Sequence, residues 1–158
     1  MSTSILSLYR RVTRWPGGRW LFARAVCAKA PYFRTIAPRV VSLEPGRCEI
    51  HMRDRRRVHN HLGGVHAIAL CNLAELAAGL MIDASLPSTQ RWIPKGMTVE
   101  YLKQARGTMR AVATPDIPAI EAGHGYELPV SVLVTDPSAV AVFRASVAMW
   151  VSPRPARG

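Results

Sequence analysis

Glu75 stands inside a run that is otherwise almost wholly apolar, HAIALCNLAELAAGLMID from His66 to Asp83. Burying a carboxylate without a partner is expensive, so Glu75 calls for a hydrogen-bonding neighbour, a water-filled cleft or a chemical task. The chemistry open to it is that of a general base or a nucleophile. Asn60 precedes His66 by six positions, and Glu75 follows His66 by nine. Gly63 and Gly64 fall between the first two, where the lack of a side chain lets a ligand approach the backbone. Just upstream, Arg53, Arg55, Arg56 and Arg57 form a basic cluster that suits phosphate groups, or else a solvated loop. His51, His59, His61 and His66 share the region. No two of them have the i, i+4 spacing of helical ligands, and the triplet His59-Asn60-His61 lacks further ligands, so no metal is expected.

The elements that must hold these residues follow from the pattern around them. Alanine and leucine dominate residues 66–82 and no proline interrupts them, which predicts one helix. Apolar residues lie on every side of it, so it should be buried rather than amphipathic. Its length, with Asn72 and Glu75 inside it, argues against a membrane span. Its first turn, at Val65, His66 and Ala67, offers free N–H groups and the positive end of the helix dipole. Ahead of it, RVVSLE and RCEIHMR flank Pro45-Gly46, a hairpin signal in which proline fixes φ and glycine supplies φ > 0. Behind it, strand patterns run over 97–103, 108–113, 126–134 and 140–151, separated by turn clusters. Pro129 inside the third of these suggests an edge strand or a bulge.

Two short helices open the chain, over 3–15 and 19–30, divided by Pro16-Gly17-Gly18. They read as a lid packed on the domain. The alternative is weak contact with a membrane surface, or with a long acyl chain. Without β-α-β alternation the sheet should be antiparallel, so the expected class is α+β, a sheet wrapped around one long helix. What the sheet leaves bare, a second copy of the chain can cover. The expected organisation is an N-terminal helical extension over 1–34, a main domain over 35–152 and a frayed tail over 153–158.

Composition narrows the function. The chain has 158 residues, enough for one domain with a real core, and its formal net charge is +11. Residues 1–57 hold 13 Lys/Arg against 3 Asp/Glu, and the remainder holds 8 against 7. That skew favours anionic partners, though a soluble basic face explains it equally. A specific nucleic-acid site is disfavoured: among the charges only Trp15, Trp20, Tyr32 and Phe33 could stack on bases. Cys27, Cys48 and Cys71 are odd in number and widely spaced, so no disulfide framework is indicated and a reducing, cytoplasmic setting is the simpler expectation. No secretory signal is evident at the N-terminus.

The run NHLGGVHAIALCNLAELAAG, with its Asn60–His66–Glu75 spacing, resembles the hotdog-fold thioesterase superfamily. It is most similar to the branch of the phenylacetate-pathway thioesterases, within a subgroup described mainly as a domain of unknown function. The resemblance implies a hotdog fold, a homodimer with a tetramer as the open alternative, and hydrolysis of an acyl-CoA at the dimer interface. No cofactor is implied beyond the coenzyme A carried by the substrate. Within one chain His66 and Glu75 would stand roughly 13 Å apart along the helix, too far to share one carbonyl. A dimer brings Glu75 of one chain to Asn60 and Ala67 of the other. In that arrangement Glu75 is general base or nucleophile, and the Ala67 backbone N–H holds the oxyanion. Asn60 orients water or substrate, and His66 positions the loop. Gly63, Gly64, Arg55, Arg56, Arg57 and Thr98 would line the substrate site. The chain departs from the family in placing Ala67 and Ile68 where two glycines usually follow the His, and Ile68 narrows the space for a ligand. A non-catalytic acyl-thioester or lipid binder on the same scaffold is the competing reading.

Overall fold

The computed structural model describes residues 5–155. Thr3 and Ser4 of the first expected helix, and the last three residues of the tail, lie outside the described residues. Helix α1 spans Ile5–Val12 and α2 spans Gly18–Lys29. A 3₁₀ turn at Pro31–Thr35 leads to strands β1, Arg39–Glu44, and β2, Arg47–Met52. The central helix α3 covers Ala67–Ser85. Four strands follow: β3 Gln90–Tyr101, β4 Met109–Pro115, β5 Tyr126–Thr135 and β6 Ala141–Pro153. All strand pairs are antiparallel, in one six-stranded sheet of order β1-β2-β4-β5-β6-β3. The α+β arrangement expected from the sequence is the one observed.

The sheet curls around α3, and alternate strand residues meet it. Ile50 and Met52 from β2, Met109 and Ala111 from β4, Leu128 and Val130 from β5, and Phe143 and Met149 from β6 are all buried with Leu73, Ala77, Met81 and Ile82 of α3. The β1–β2 hairpin turns at Pro45-Gly46, where Gly46 has φ 78°. Its Gly46 N–H donates to Ser85 Oγ at 2.8 Å, tying the hairpin to the end of α3. In the same C-terminal half of the helix, Trp92 of β3 lies against Gly79, where an added Cβ would come within 3.0 Å of the indole. The Trp92 Nε1–H also donates to Asp83 Oδ1 at 3.0 Å.

The N-terminal helices are a packed lid. Phe22 is 1% exposed, and its ring meets Tyr9 edge-on at 5.0 Å. The Tyr9 hydroxyl donates to the Val41 carbonyl at 3.2 Å, where β1 slips register between Val40 and Ser42. The lid therefore covers the β1 edge of the sheet. The opposite edge, β3, is exposed along most of its length.

Three expectations are corrected. The first concerns β3, which begins at Gln90 rather than Met97. Pro94, Lys95 and Gly96 mask its pattern, and a bulge between Pro94 and Gly96 absorbs the irregularity. The second concerns β5, which lies between β4 and β6, so Pro129 is on neither an edge nor a bulge. Its carbonyl faces Asp116, just past the end of β4, and accepts that N–H at 2.9 Å. The N–H that proline lacks would point to the same side, where no β4 carbonyl waits for it. The third concerns the tail, which is not loose where it starts. Pro153 pairs with Gln90, and Arg154 bonds Thr89 and Gln90 carbonyls at 2.8 Å each.

Candidate active site at the start of the central helix

His66 is the N-cap of α3: its backbone is extended, and its Nδ1 accepts the Ile68 N–H at 3.0 Å. An accepting Nδ1 leaves the ring proton on Nε2. The His66 carbonyl takes the Ala69 N–H at 3.0 Å. That leaves the Ala67 N–H, at the first helical position, with no acceptor among the described residues. A free amide at the positive end of a 19-residue helix is a donor that a negative oxygen could accept from.

The loop before the helix is wound on Asn60. Its Oδ1 accepts the N–H groups of Leu62, at 2.9 Å, and Gly64, at 3.2 Å, and its own N–H donates to the Gly64 carbonyl at 2.8 Å. The side-chain oxygen thus shapes the turn, and only the Nδ2 group remains for a ligand. Gly63 supplies the positive φ of 73° that this turn needs. Gly64 is glycine for a different reason from the one expected. It is buried, and an added Cβ would sit 3.1 Å from the Ala105 carbonyl oxygen, so it serves packing rather than ligand approach. A second lock holds the loop: His59 bonds Asp54 Oδ1, and Asp54 Oδ2 accepts the Gly107 N–H at 2.6 Å. Burial pushes the Asp54 carboxyl up, but His59, the Gly107 amide and Arg106 outweigh it and hold the group below its ordinary value. His51 bonds Glu49 instead, so these histidines serve separate contacts and do not converge.

A recess of about 170 Å³ opens beside the helix start, walled by Tyr32, Arg57, His66, Ile68 and Asn72. Asn72 was not singled out from the sequence as a site residue. It is 5% exposed; its Nδ2 donates to Thr35 Oγ1 at 3.0 Å, while its buried Oδ1 has no partner among the described residues. A buried amide on an apolar helix was the only signal of it in the sequence. The arginine cluster is divided. Arg57 lines this recess, Arg55 lines a different cleft, and Arg56 lines neither.

Glu75 is exposed, although Leu73, Ala74, Leu76, Ala77, Ala78, Gly79 and Leu80 around it are buried. The expectation of a helix buried on every side is corrected here: Ile68, 55% exposed, half-buried Cys71 and Glu75 mark one bare face. Among the described residues Glu75 has no hydrogen bond or ion pair. Cys71 lies 3.4 Å from the Tyr101 hydroxyl at the end of β3, so this face adjoins the exposed sheet edge. Because α3 is unbroken, Ala67 and Glu75 are about 12 Å apart along its axis, and one protomer does not bring them together. Nor does it bring Thr98 to either. Met97 and Val99 pack towards the core, and Thr98 is exposed on the other face of β3.

The family described as Domain of unknown function (DUF4442) matches residues 18–151. A structural-genomics protein designated APC5556 is 44% identical over 95% of this chain and 99% of its own, at a TM-score of 0.81. A Pseudomonas aeruginosa protein of unknown function, described as a probable thioesterase, is 24% identical, with 85% of this chain and 95% of that one covered and a TM-score of 0.73. A thioesterase from Haemophilus influenzae is 14% identical, covering 82% and 87% of the two chains at a TM-score of 0.71. At these last two identities the likeness concerns the fold, which is the hotdog. No curated protein matches the chain.

Proposed function

The chain belongs to the DUF4442 family, on the hotdog fold of the thioesterases, and we propose that it hydrolyses an acyl thioester, an acyl-CoA, at sites shared between two protomers. The observation that carries this reading is Glu75, an exposed carboxylate with no partner among the described residues, in an otherwise buried stretch of α3 beside the bare β3 edge. A long exposed strand edge invites pairing with another strand. Pairing β3 with its symmetry mate continues the sheet and turns the bare faces of the two α3 helices towards each other. Each Glu75 then faces the start of the other helix, across the distance that one chain does not close.

The reaction follows from the groups. The thioester carbonyl takes a hydrogen bond from the Ala67 N–H, and Asn60 Nδ2 helps place substrate or water. Glu75 of the other protomer removes a proton from water as the water oxygen bonds to the carbonyl carbon. The tetrahedral oxyanion stays on the Ala67 N–H, the C–S bond breaks, and the thiolate leaves to be protonated. Glu75 can instead attack directly and form an anhydride that water opens. The recess bounded by Ile68 and Tyr32 receives the first carbons of the acyl group.

A panel of acyl-CoA esters assayed by thiol release, with the wild type and Glu75→Gln, tests this reading. The wild type should turn over at least one ester, and Glu75→Gln should lose about 10²–10⁴-fold in kcat while keeping its fold and dimer. Equal turnover by the two proteins removes Glu75 from the mechanism. Binding of acyl-CoA without turnover by either would make the protein a non-catalytic binder on the same scaffold.

A further inference from the structure

A second cleft, of about 790 Å³, lies between the N-terminal helices and the end of the β1–β2 hairpin. Arg19, Arg39, Arg53 and Arg55 line it together with Trp15 and Trp20, and no carboxylate is among its lining residues. The nearest acid on β2, Glu49, is already committed to Arg47, Arg110 and His51. Arg55 is the telling member. Its Nε and Nη2 atoms are buried and meet no acceptor among the described residues. Buried guanidinium donors are costly to leave unmade. The start of α2 adds to the field. Gly17 caps it without a side chain, its first turn holds no acid, and the N–H groups of Arg19 and Trp20 have no acceptor among the described residues.

We infer that this cleft binds the phosphates of a nucleotide. Resting on the thioester reading above, the nucleotide is the phosphorylated adenosine end of the coenzyme A ester. Guanidinium forks and free helix amides are donors matched to phosphate oxygens. A flat base has two platforms beside them. Trp15 is 74% exposed and Trp20 is 64% exposed, the latter with Arg24 over its ring at 5.0 Å. Trp20, Ala37 and Pro38 also wall an adjoining apolar recess of about 240 Å³. The separation from the helix start is compatible. Arg55 is three residues from Val58, a span of at most ~10 Å, and the Val58 carbonyl accepts the His66 N–H at 2.7 Å. The pantetheine arm, as long as roughly four residues of extended backbone, bridges such a gap. The same tryptophans and arginines could rest on an anionic bilayer, but a flat surface does not reach donors buried in a cleft, and this favours the small ligand.

Calorimetric titration of the full-length protein with adenosine 3′,5′-bisphosphate, inorganic phosphate and anionic phosphatidylglycerol vesicles separates the sources. The bisphosphate should bind, with inorganic phosphate about tenfold weaker or worse. The double variant Arg39→Ala/Arg53→Ala, altered only at exposed side chains, should weaken it by about tenfold or more. Arg55→Met should weaken it as much while raising the melting temperature by about 2–4 °C, because it removes two buried donors that meet no acceptor among the described residues. Bisphosphate that fails to bind, or that binds all variants equally, overturns the inference. So does vesicle binding that the same substitutions abolish when no nucleotide binds. In turnover, the double variant should raise KM for a CoA ester about tenfold more than KM for the matching N-acetylcysteamine thioester, which lacks the nucleotide. An equal effect on both esters overturns the inference and leaves thioester hydrolysis standing. Nucleotide binding lost in the variants, from a protein that hydrolyses no thioester, upholds the cleft and removes the enzymatic reading instead.

Discussion

Ala67 allows its backbone amide to be removed with little else. Proline is well tolerated at the first helical position, where its missing N–H would have no helical partner. The preceding residue, His66, has ψ 137°, the extended conformation that a residue before proline prefers. Ala67→Pro should therefore leave thermal stability within about 1 kcal/mol of the wild type. It should lower kcat by about 10²–10³-fold, the usual cost of one oxyanion donor. A melting curve and a thiol-release assay on the same preparation check both halves; a folded variant with full turnover would move the oxyanion elsewhere. Glu49 makes a different residue-scale prediction, about stability. The Arg110 hydrogen bonds hold its carboxyl down at about 2, against the opposition of burial and with help from Arg47 and His51. The folded value lies below the unfolded one, ordinarily about 4.5, so these contacts stabilise the fold above that pH and fade as pH falls towards 2. Glu49→Gln should cost roughly 1–3 kcal/mol at pH 7, and the gap to the wild type should close near pH 2 in denaturant titrations.

At the scale of elements, what the sequence made legible is what local chemistry decides. Pro45-Gly46 announced its hairpin, the alanine- and leucine-rich run its helix, and the turn clusters the four later strands. What stayed hidden depends on which neighbours lie alongside. Pro129 reads as an edge residue because its tolerance rests on where β4 ends, not on its own strand. The exposure of Glu75 is set by a sheet that covers α3 on all but one side, and no periodicity within the helix encodes that. Asn60, His66 and Glu75 were legible as a motif by their spacing, but the use of Asn60 Oδ1 inside its own turn and the packing task of Gly64 are facts of loop geometry. The split of Arg55 from Arg57 arises because the chain bends through a short 3₁₀ turn at Arg56–Val58. The lid offers the element-scale prediction. A Cβ added at Gly18 would lie 2.0 Å from the Val12 carbonyl oxygen, a backbone atom that moves only if α1 and α2 part. Gly18→Ala should destabilise the protein by about 2–4 kcal/mol. Hydrogen exchange should locate the loosening in residues 5–30, with α3 protected as before.

For the whole molecule the question is whether one site draws on two chains, and the geometry allows a test that no single variant provides. The two edges of the sheet are treated differently: β1 lies under the lid, and β3 is left open beside the bare face of α3. Closed pairing across β3 doubles the 17.4 kDa chain, which sedimentation should register as a mass of about 35 kDa. Glu75→Gln lacks the base and Ala67→Pro lacks the oxyanion donor, so each homodimer has two dead sites. A mixed dimer that shares residues across the interface combines the intact Glu75 of one chain with the intact Ala67 of the other, and its second site carries both defects. Random reassortment of equal amounts makes half the dimers mixed, with one live site of two, so turnover should recover to about a quarter of the wild-type value. Were each site built within one chain, every site in the mixture would keep one of the two defects and no turnover would return. Recovery that appears only after subunit exchange, and that tracks the mixed fraction in sedimentation or native mass measurements, would tie catalysis to the open edge of the sheet.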